Sequence, residues 1–348
     1  MAAPARTILV TGVSRDLGSR LAASLAERSS VRRVIGVDAV APTGAALKTL
    51  GRAEFVRADI RHPRIAALMS SAGVDTIVHL NVSATPGLSG GRSSMKEMNV
   101  LGTMQLLAAA QQTEGLRRLV LKSTTAVYGS SKRDPALFTE DTEPTATPRS
   151  GYGKDAVEIE GYVRAFGRRR PDVAVTVLRF ANFIGPRTTS PMVSYLSLPV
   201  VPTILGFDPR LQFVHEDDSL EVLRMSVRGN RSGVFNVAGD GILLLSQAIR
   251  RSGRVPVPVP PPVISVLARF ARSTGLVDFS PEQMAFLNFG RVVDTSRLQN
   301  EFGYRPRHTT ASAFADFASR LSAPLPAERV EHAERLLLDR MAGLVGHG

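Results

Sequence analysis

The stretch TILVTGVSRDLG, residues 7–18, decides how the rest of the chain is read. Its first five residues are a short β-branched run, and LGSRLAASLAER (17–28) continues as an amphipathic helical pattern. Between the two lies a turn, TGVSRDLG (11–18), with glycines at 12 and 18. A strand that enters a helix through a glycine-bearing turn gathers backbone N–H groups at the helix N-terminus, where they can hold a phosphate.

Outward from this turn the pattern repeats. RVIGVD (33–38), AEFVRADI (53–60), VDTIVHL (74–80), RRLVLKS (117–123) and VAVTVLRF (173–180) read as strands, with long helical patterns at 95–113 and 151–167. Buried apolar runs separated by helices predict an α/β protein with a doubly wound parallel sheet of Rossmann type. No tandem repeat is visible beyond this alternation.

The second half is less regular. LQFVHE (211–216) and GVFNVAG (233–239) read as strands, with a helix from about Asp217 and helical stretches near 245–252, 263–273 and 309–321. VPVPVPPPV (255–263) is expected to be a surface loop or a short polyproline stretch, since each Pro removes a backbone donor. The expected division is a dinucleotide-binding domain over 1–180, to which 211–232 returns, and a smaller substrate domain from 181–210 and 233–325. A C-terminal helix and tail, 326–348, carries apolar positions at 330, 333, 337, 341 and 344.

Composition narrows the function classes. The 348 residues carry a formal charge of +12, but the arginines are scattered and no nucleic-acid-binding motif organises them. The charge reads as a solvated surface suited to an anionic ligand, and no nucleic-acid partner is expected. No apolar run is long enough to span a membrane. Six residues before the first strand leave no room for a secretory signal, and the chain has no Cys for a disulfide, a thiol nucleophile or a thiolate metal site. A cytoplasmic protein without a metal centre is the expectation.

The turn itself fits a dinucleotide site with one departure. The expected spacing is Gly-x-x-Gly-x-x-Gly, and its middle position is Arg15. A side chain there either clasps the pyrophosphate with its guanidinium or partly occludes the groove; the clasp is favoured. Asp38, closing the second strand, is placed to accept hydrogen bonds from the adenosine ribose and would repel a 2′-phosphate, so NAD is expected rather than NADP. Asp59, in RADI, is expected at the adenine edge. Ser14, Asp16, Leu17, Ile60, Leu80, Asn81 and Asn99 complete the expected cofactor groove. Both Asp residues could instead cap helices, and Asn81 and Asn99 could equally hold loops.

With TGVSRDLG, VDTIVHLNVSA, NVLGT (99–103), KSTTAVYG (122–129), GYGKDAVEIE (151–160), LRFANFIGPR (178–187), FVHEDD (213–218), FNVAGD (235–240) and DTSRLQNEFGYRP (294–306) in order, the chain resembles an extended short-chain dehydrogenase/reductase of the NAD-dependent epimerase/dehydratase family. The flavour is that of actinobacterial UDP-glucose 4-epimerase-like members, and the resemblance runs over about residues 6–321. It implies a nucleotide-sugar or related alcohol substrate, transient hydride transfer to NAD, and a homodimer built on helices that include the one bearing Lys154. It also implies a Ser/Thr, a Tyr and a Lys at the reacting hydroxyl. Thr124 and Lys154 match the first and last, but the tyrosine position is Ser150. An aliphatic hydroxyl is a poor base, and Tyr152 could replace the missing phenol only if the helix began late and the turn curled inward. Tyr128 and His215 belong to fold landmarks and are expected to be structural. Asn182 matches a diphosphate contact; the arginine that accompanies it in the family falls on Leu211, with Arg210 one residue off and on the opposite face unless a bulge intervenes. A degenerate epimerase and a catalytically inactive NAD-binding sensor or scaffold are the two readings this leaves.

Overall fold

A computed structural model of the chain describes residues 7–82, 91–143, 148, 151–229, 231–260, 281–321 and 328. Ser150, the stripe at 330–344 and the helical stretch at 263–273 lie outside these residues.

The strands of the first half are β1 (Thr7–Thr11), β2 (Arg33–Asp38), β3 (Glu54–Arg57), β4 (Thr76–His79), β5 (Arg118–Thr124) and β6 (Ala174–Phe180). Those of the second half are β7 (Asn182–Ile184), β8 (Val200–Ile204), β9 (Arg210–Leu211), β10 (Phe213–His215), β11 (Gly233–Val237), β12 (Leu243–Leu244) and β13 (Val255–Val259). Seven of them form one sheet in the order β11-β6-β5-β4-β1-β2-β3. Every pairing in it is parallel. The order reverses at β1 and β4, and the crevice outside the carboxyl ends of those two strands is where such a sheet takes its ligand.

Alternation along β1 explains the two covered faces. Ile8 and Val10 enter one apolar core with Leu21 and Leu25 of α1 (Asp16–Ala26), while Leu9 enters the core on the other face. That second core includes Leu106 and Ile159, from α5 (Gly102–Gln112) and α6 (Gly151–Arg169), which follow α2 (Gly44–Thr49), α3 (Arg64–Ala72) and α4 (Gly91–Lys96) in the chain. The long helical pattern at 95–113 forms as a helix from Gly91 that passes through a π-helical turn at Glu97–Leu101 before continuing to Gln112.

Four expectations change. GVFNV, assigned from the sequence to the smaller region, is the edge strand β11 paired with β6, so the central sheet reaches to residue 237. LQFVHE divides, because Leu211 pairs with β12 and Phe213–His215 pairs with β7. AEFVRADI is a strand only at 54–57, leaving Asp59 beyond its end. Finally, 255–259 is a strand rather than a loop and runs parallel to β8. The Val255 N–H donates to the Pro199 carbonyl and Val259 accepts from the Leu205 N–H, so the odd-numbered residues face β8. Pro256 and Pro258 therefore turn their missing donors to the other edge, which no described strand pairs with, and Pro is tolerated there. Ile184, Tyr195, Leu211, Phe213, Leu243, Phe286 and Phe314 pack a third, smaller core.

Candidate functional site

The glycine turn sits at the crevice with its backbone tightly constrained. Gly12 has φ +80°, and a Cβ on it would approach Asn81 N to 3.2 Å. A Cβ on Gly18 would overlap the Gly12 carbonyl oxygen. These two glycines let β1, α1 and the end of β4 meet. Arg15, in contrast, has φ −105° and ψ 154°, an ordinary extended conformation for a helix N-cap, so nothing in the backbone demands glycine at the middle position. Its side chain is exposed, and its charge acts on both Lys122 and Tyr152, which sets it on the crevice side of the turn.

The neighbouring carboxylates are differently placed. Asp38 is 9% exposed and accepts from the Ser14 N–H at 3.1 Å, tying the turn to the end of β2. Asp59 is held by Arg61 through its backbone N–H at 2.9 Å and its guanidinium at 2.6–3.0 Å. Those bonds keep its carboxyl below the usual range. Asp16 lies 3.5 Å from Arg20 at the start of α1, and Leu17 packs on the core beneath. Ile60 and Leu80 are buried, and Ile60 lies against Gly102, where a Cβ would come to 2.9 Å.

Across the crevice, His79 bridges the ends of β1 and β4. Its Nδ1 is 2.7 Å from Thr11 Oγ1 and its Nε2 is 2.9 Å from Thr103 Oγ1. Burial pushes its pKa down to about 3, helped by the charge of Lys122, so the ring is neutral. The Thr11 hydroxyl in turn accepts from the N–H groups of Leu80 and Asn81. Asn99 is fully buried and donates to Asp155 on α6 at 3.2 Å, a bond that holds two helices together.

Along the end of β5 the side chains alternate. Leu121 and Ser123 are buried, while Lys122 and Thr124 are half-buried on the opposite face. Thr124 Oγ1 accepts from the Ala126 N–H at 3.1 Å, which leaves its own O–H to donate elsewhere. Lys122 Nζ donates to the Val82 carbonyl at 3.0 Å and lies 5.8 Å from the Phe183 ring centroid. Burial first, then the charge of Arg15, lowers its pKa to about 7. Ser123 points the other way, to Glu160 at 2.5 Å. Glu160 pairs with Arg179 at 2.7 Å, and Arg179 also donates to the Tyr128 hydroxyl at 2.8 Å. Tyr128 is therefore a buried packing residue, as its landmark position suggested.

The α6 entry is the least expected part. Gly151, whose φ is +73°, turns the chain into the helix, and Tyr152 and Lys154 lie within it and leave it roughly 200° apart. Lys154 is 44% exposed, with Nζ 4.0 Å from Glu158. Tyr152 packs on the core that includes Leu121 and Ile159, and its pKa is raised by burial and then by the Glu282 carboxylate. Glu282 belongs to the helix Pro281–Phe289 and accepts the Gly153 N–H with both carboxylate oxygens at 3.0 Å. A Cβ on Gly153 would come within 2.5 Å of that carboxylate and 2.8 Å of the Ala126 carbonyl. Sequence reading missed Glu282, for which no local signal exists. It also passed over Lys122, whose signal was present: a lysine inside the apolar run of a buried parallel strand is out of place.

On the substrate side, Asn182 opens β7 and is half-exposed. Leu211 is fully buried in the smaller core and Arg210 faces the other way, half-exposed. His215 is buried between Asp316 at 3.0 Å and a stacked His308 ring at 3.8 Å, a structural position. Among the described residues, no three His, Asp or Glu side chains converge to hold a metal.

A seven-stranded parallel sheet with a glycine turn at its switch point and Asp38 closing β2 defines a dinucleotide-binding α/β protein. The profile of the NAD dependent epimerase/dehydratase family matches residues 8–238, and the chain belongs to that family. NAD is accordingly its cofactor, and the closely packed Gly12–Gly18 turn fits that group. An uncharacterized protein of Mycobacterium tuberculosis is 50% identical over 312 residues, covering 90% of this chain and 83% of that protein. Among solved structures, UDP-glucose 4-epimerase of Thermotoga maritima with UDP-glucose superposes with a TM-score of 0.69 at 20% identity, covering 90% of this chain and 98% of that one. The dTDP-glucose 4,6-dehydratase of Bacillus anthracis in complex with NAD gives 0.68 at 19% identity, covering 96% and 100%. At these identities the structures share the fold.

Proposed function

We propose that this chain is an NAD-dependent enzyme acting on a nucleotide sugar, in the manner of a UDP-glucose 4-epimerase, with proton handling that does not use the usual phenol. Bound NAD supplies reversible oxidation of a carbinol carbon. Gly12 and Gly18, lacking a Cβ, leave room for its phosphates at the head of α1, Asp38 takes the adenosine ribose, and Lys154 takes the nicotinamide ribose. Thr124 carries the reading: anchored by the Ala126 N–H at 3.1 Å, its hydroxyl is aimed from the end of β5 at a substrate oxygen. Asn182 and Arg210 are the groups on the substrate side suited to a diphosphate. The substrate lobe is built from 181–210 and the residues after β11. The chain acts in the cytoplasm as a homodimer, through the exposed apolar Leu101, Met104 and Tyr162 on the helices flanking β5.

One observation favours the second reading, a sensor or scaffold without turnover. Burial and Glu282 raise the Tyr152 pKa, whereas a phenol acting as a base needs it lowered. Incubation of the NAD-loaded protein with UDP-glucose and UDP-galactose separately decides between them. Interconversion, with transient absorbance of reduced nicotinamide, is expected, and Thr124→Ala or Lys154→Ala should lower it by about a hundredfold or more. NAD that stays oxidised with both sugars would leave the sensor reading standing.

A further inference from the structure

Two cations lie within electrostatic reach of each other at the switch point. Arg15 comes from the glycine turn, and Lys122 comes from β5 with its ammonium on the carbonyl of Val82, three residues past the end of β4. The adjoining Leu80–Asn81 backbone is the same one that a Cβ on Gly12 would crowd at 3.2–3.3 Å. The Lys122 head group is thus beside the turn that takes the pyrophosphate. Among the described residues it has no carboxylate within 4.0 Å; its neighbours are a carbonyl oxygen and the Phe183 ring.

We propose that Lys122 is a second cationic contact for the dinucleotide, and that NAD binding loads a proton onto it. The inference rests on NAD being the cofactor. Two like charges facing one cleft with no anion between them disfavour each other's charged form, and a pyrophosphate placed there reverses the sign of that effect. Among the described residues, the turn contributes Arg15, β4 contributes a neutral His79, β5 contributes the uncharged Thr124, and the segment after β6 contributes Phe183. Asp155 and Glu282 act on Tyr152 and are not among the charges that act on Lys122. With its pKa held down to about 7 in the free protein, Lys122 is substantially neutral in mildly alkaline solution and must take a proton from solvent to meet the phosphates.

Calorimetric titration of NAD into the nucleotide-free full chain, in two buffers of different protonation enthalpy, reads this directly. Most of one proton should be taken up per NAD at about pH 8 and almost none at about pH 6, with affinity falling about tenfold between them. Lys122→Arg, charged throughout, should bind tightly at both pH values with no uptake. Lys122→Met should bind weakly at both, again with no uptake. NAD binding that is independent of pH and proton-free in the wild type, or unweakened by Lys122→Met, overturns the proposal while leaving NAD as the cofactor. An absence of NAD binding at every pH would overturn both.

Discussion

The glycine turn at the end of β1 and the α6 entry, packed on the segment after β5, are built on opposite principles. At the turn, geometry is imposed by backbone against backbone: Gly12 beneath Asn81, Gly18 against Gly12, Asp38 on the Ser14 N–H. At the α6 entry, Gly151 and Gly153 make room for a carboxylate from a distant helix, and Glu282 occupies the helix N-terminus. The cofactor half thus keeps the form that any dinucleotide requires. On the function proposed above, the catalytic half differs: Ser150 stands where the family resemblance implies a phenol, and a lysine of lowered pKa stands on β5. The lesson is that a shared fold protects the binding of the cofactor, while the reaction depends on a few side chains that can change independently.

The sharpest way to break this comparison is at the turn. Gly18→Ala forces a Cβ into the Gly12 carbonyl, where no flexible side chain can yield. We expect a loss of about 1–3 kcal/mol of stability and of measurable NAD binding, read by thermal unfolding and calorimetry. Unaltered NAD affinity would show that the turn does not hold the cofactor.

The next effect separates a cation kept for binding from one kept for stability. Lys122 has a folded pKa of about 7 against an ordinary value of 10.5, so between these limits the unfolded chain binds the proton and the folded chain does not. Its contribution to stability therefore rises with pH across that window, and the full penalty is felt below about pH 7. Lys122→Met should stabilise the nucleotide-free protein by about 1–3 kcal/mol near neutrality, with the gain shrinking toward pH 10. Denaturant titrations at several pH values would show it, and a variant less stable than wild type near neutrality would contradict it.

The smallest expected effect lies at the α6 entry. Glu282→Ala removes the acceptor for Gly153 N–H and should cost about 1 kcal/mol, a typical loss for a helix cap. It should also lower the Tyr152 pKa, because the carboxylate that raises it is gone. Ultraviolet titration of the tyrosines reads that shift; an unchanged titration would mean that Glu282 does not govern the phenol.

Much of this was legible in the order of residues. The β-branched runs ending near Thr11, Asp38 and Phe180 and the glycines at 12 and 18 encode the sheet, the switch point and the turn, because periodicity and the absence of a Cβ are local properties. Thr124 and Lys154 were matched to their proposed roles by resemblance to the family landmarks. The strand at 255–259 was missed because its prolines argue against a ladder, and only pairing on one edge reconciles them. The assignment of β11 to the central sheet needed its partner β6, which lies more than fifty residues away in the chain.

The sequence by itself determined the α/β class and the glycine turn, since each is a matter of residue type at a stated spacing, and its resemblance to the family implied that Ser150 stands at the tyrosine position. Only the tertiary structure decided where charges meet. It put Arg15 within electrostatic reach of Lys122, set Lys122 on the Val82 carbonyl, and brought Glu282 to the head of α6. These are encounters between segments 40 to 129 residues apart, or brought across the crevice by the turn. The pKa of a buried group is fixed by its neighbours and its loss of water, and neither exists until the chain has folded.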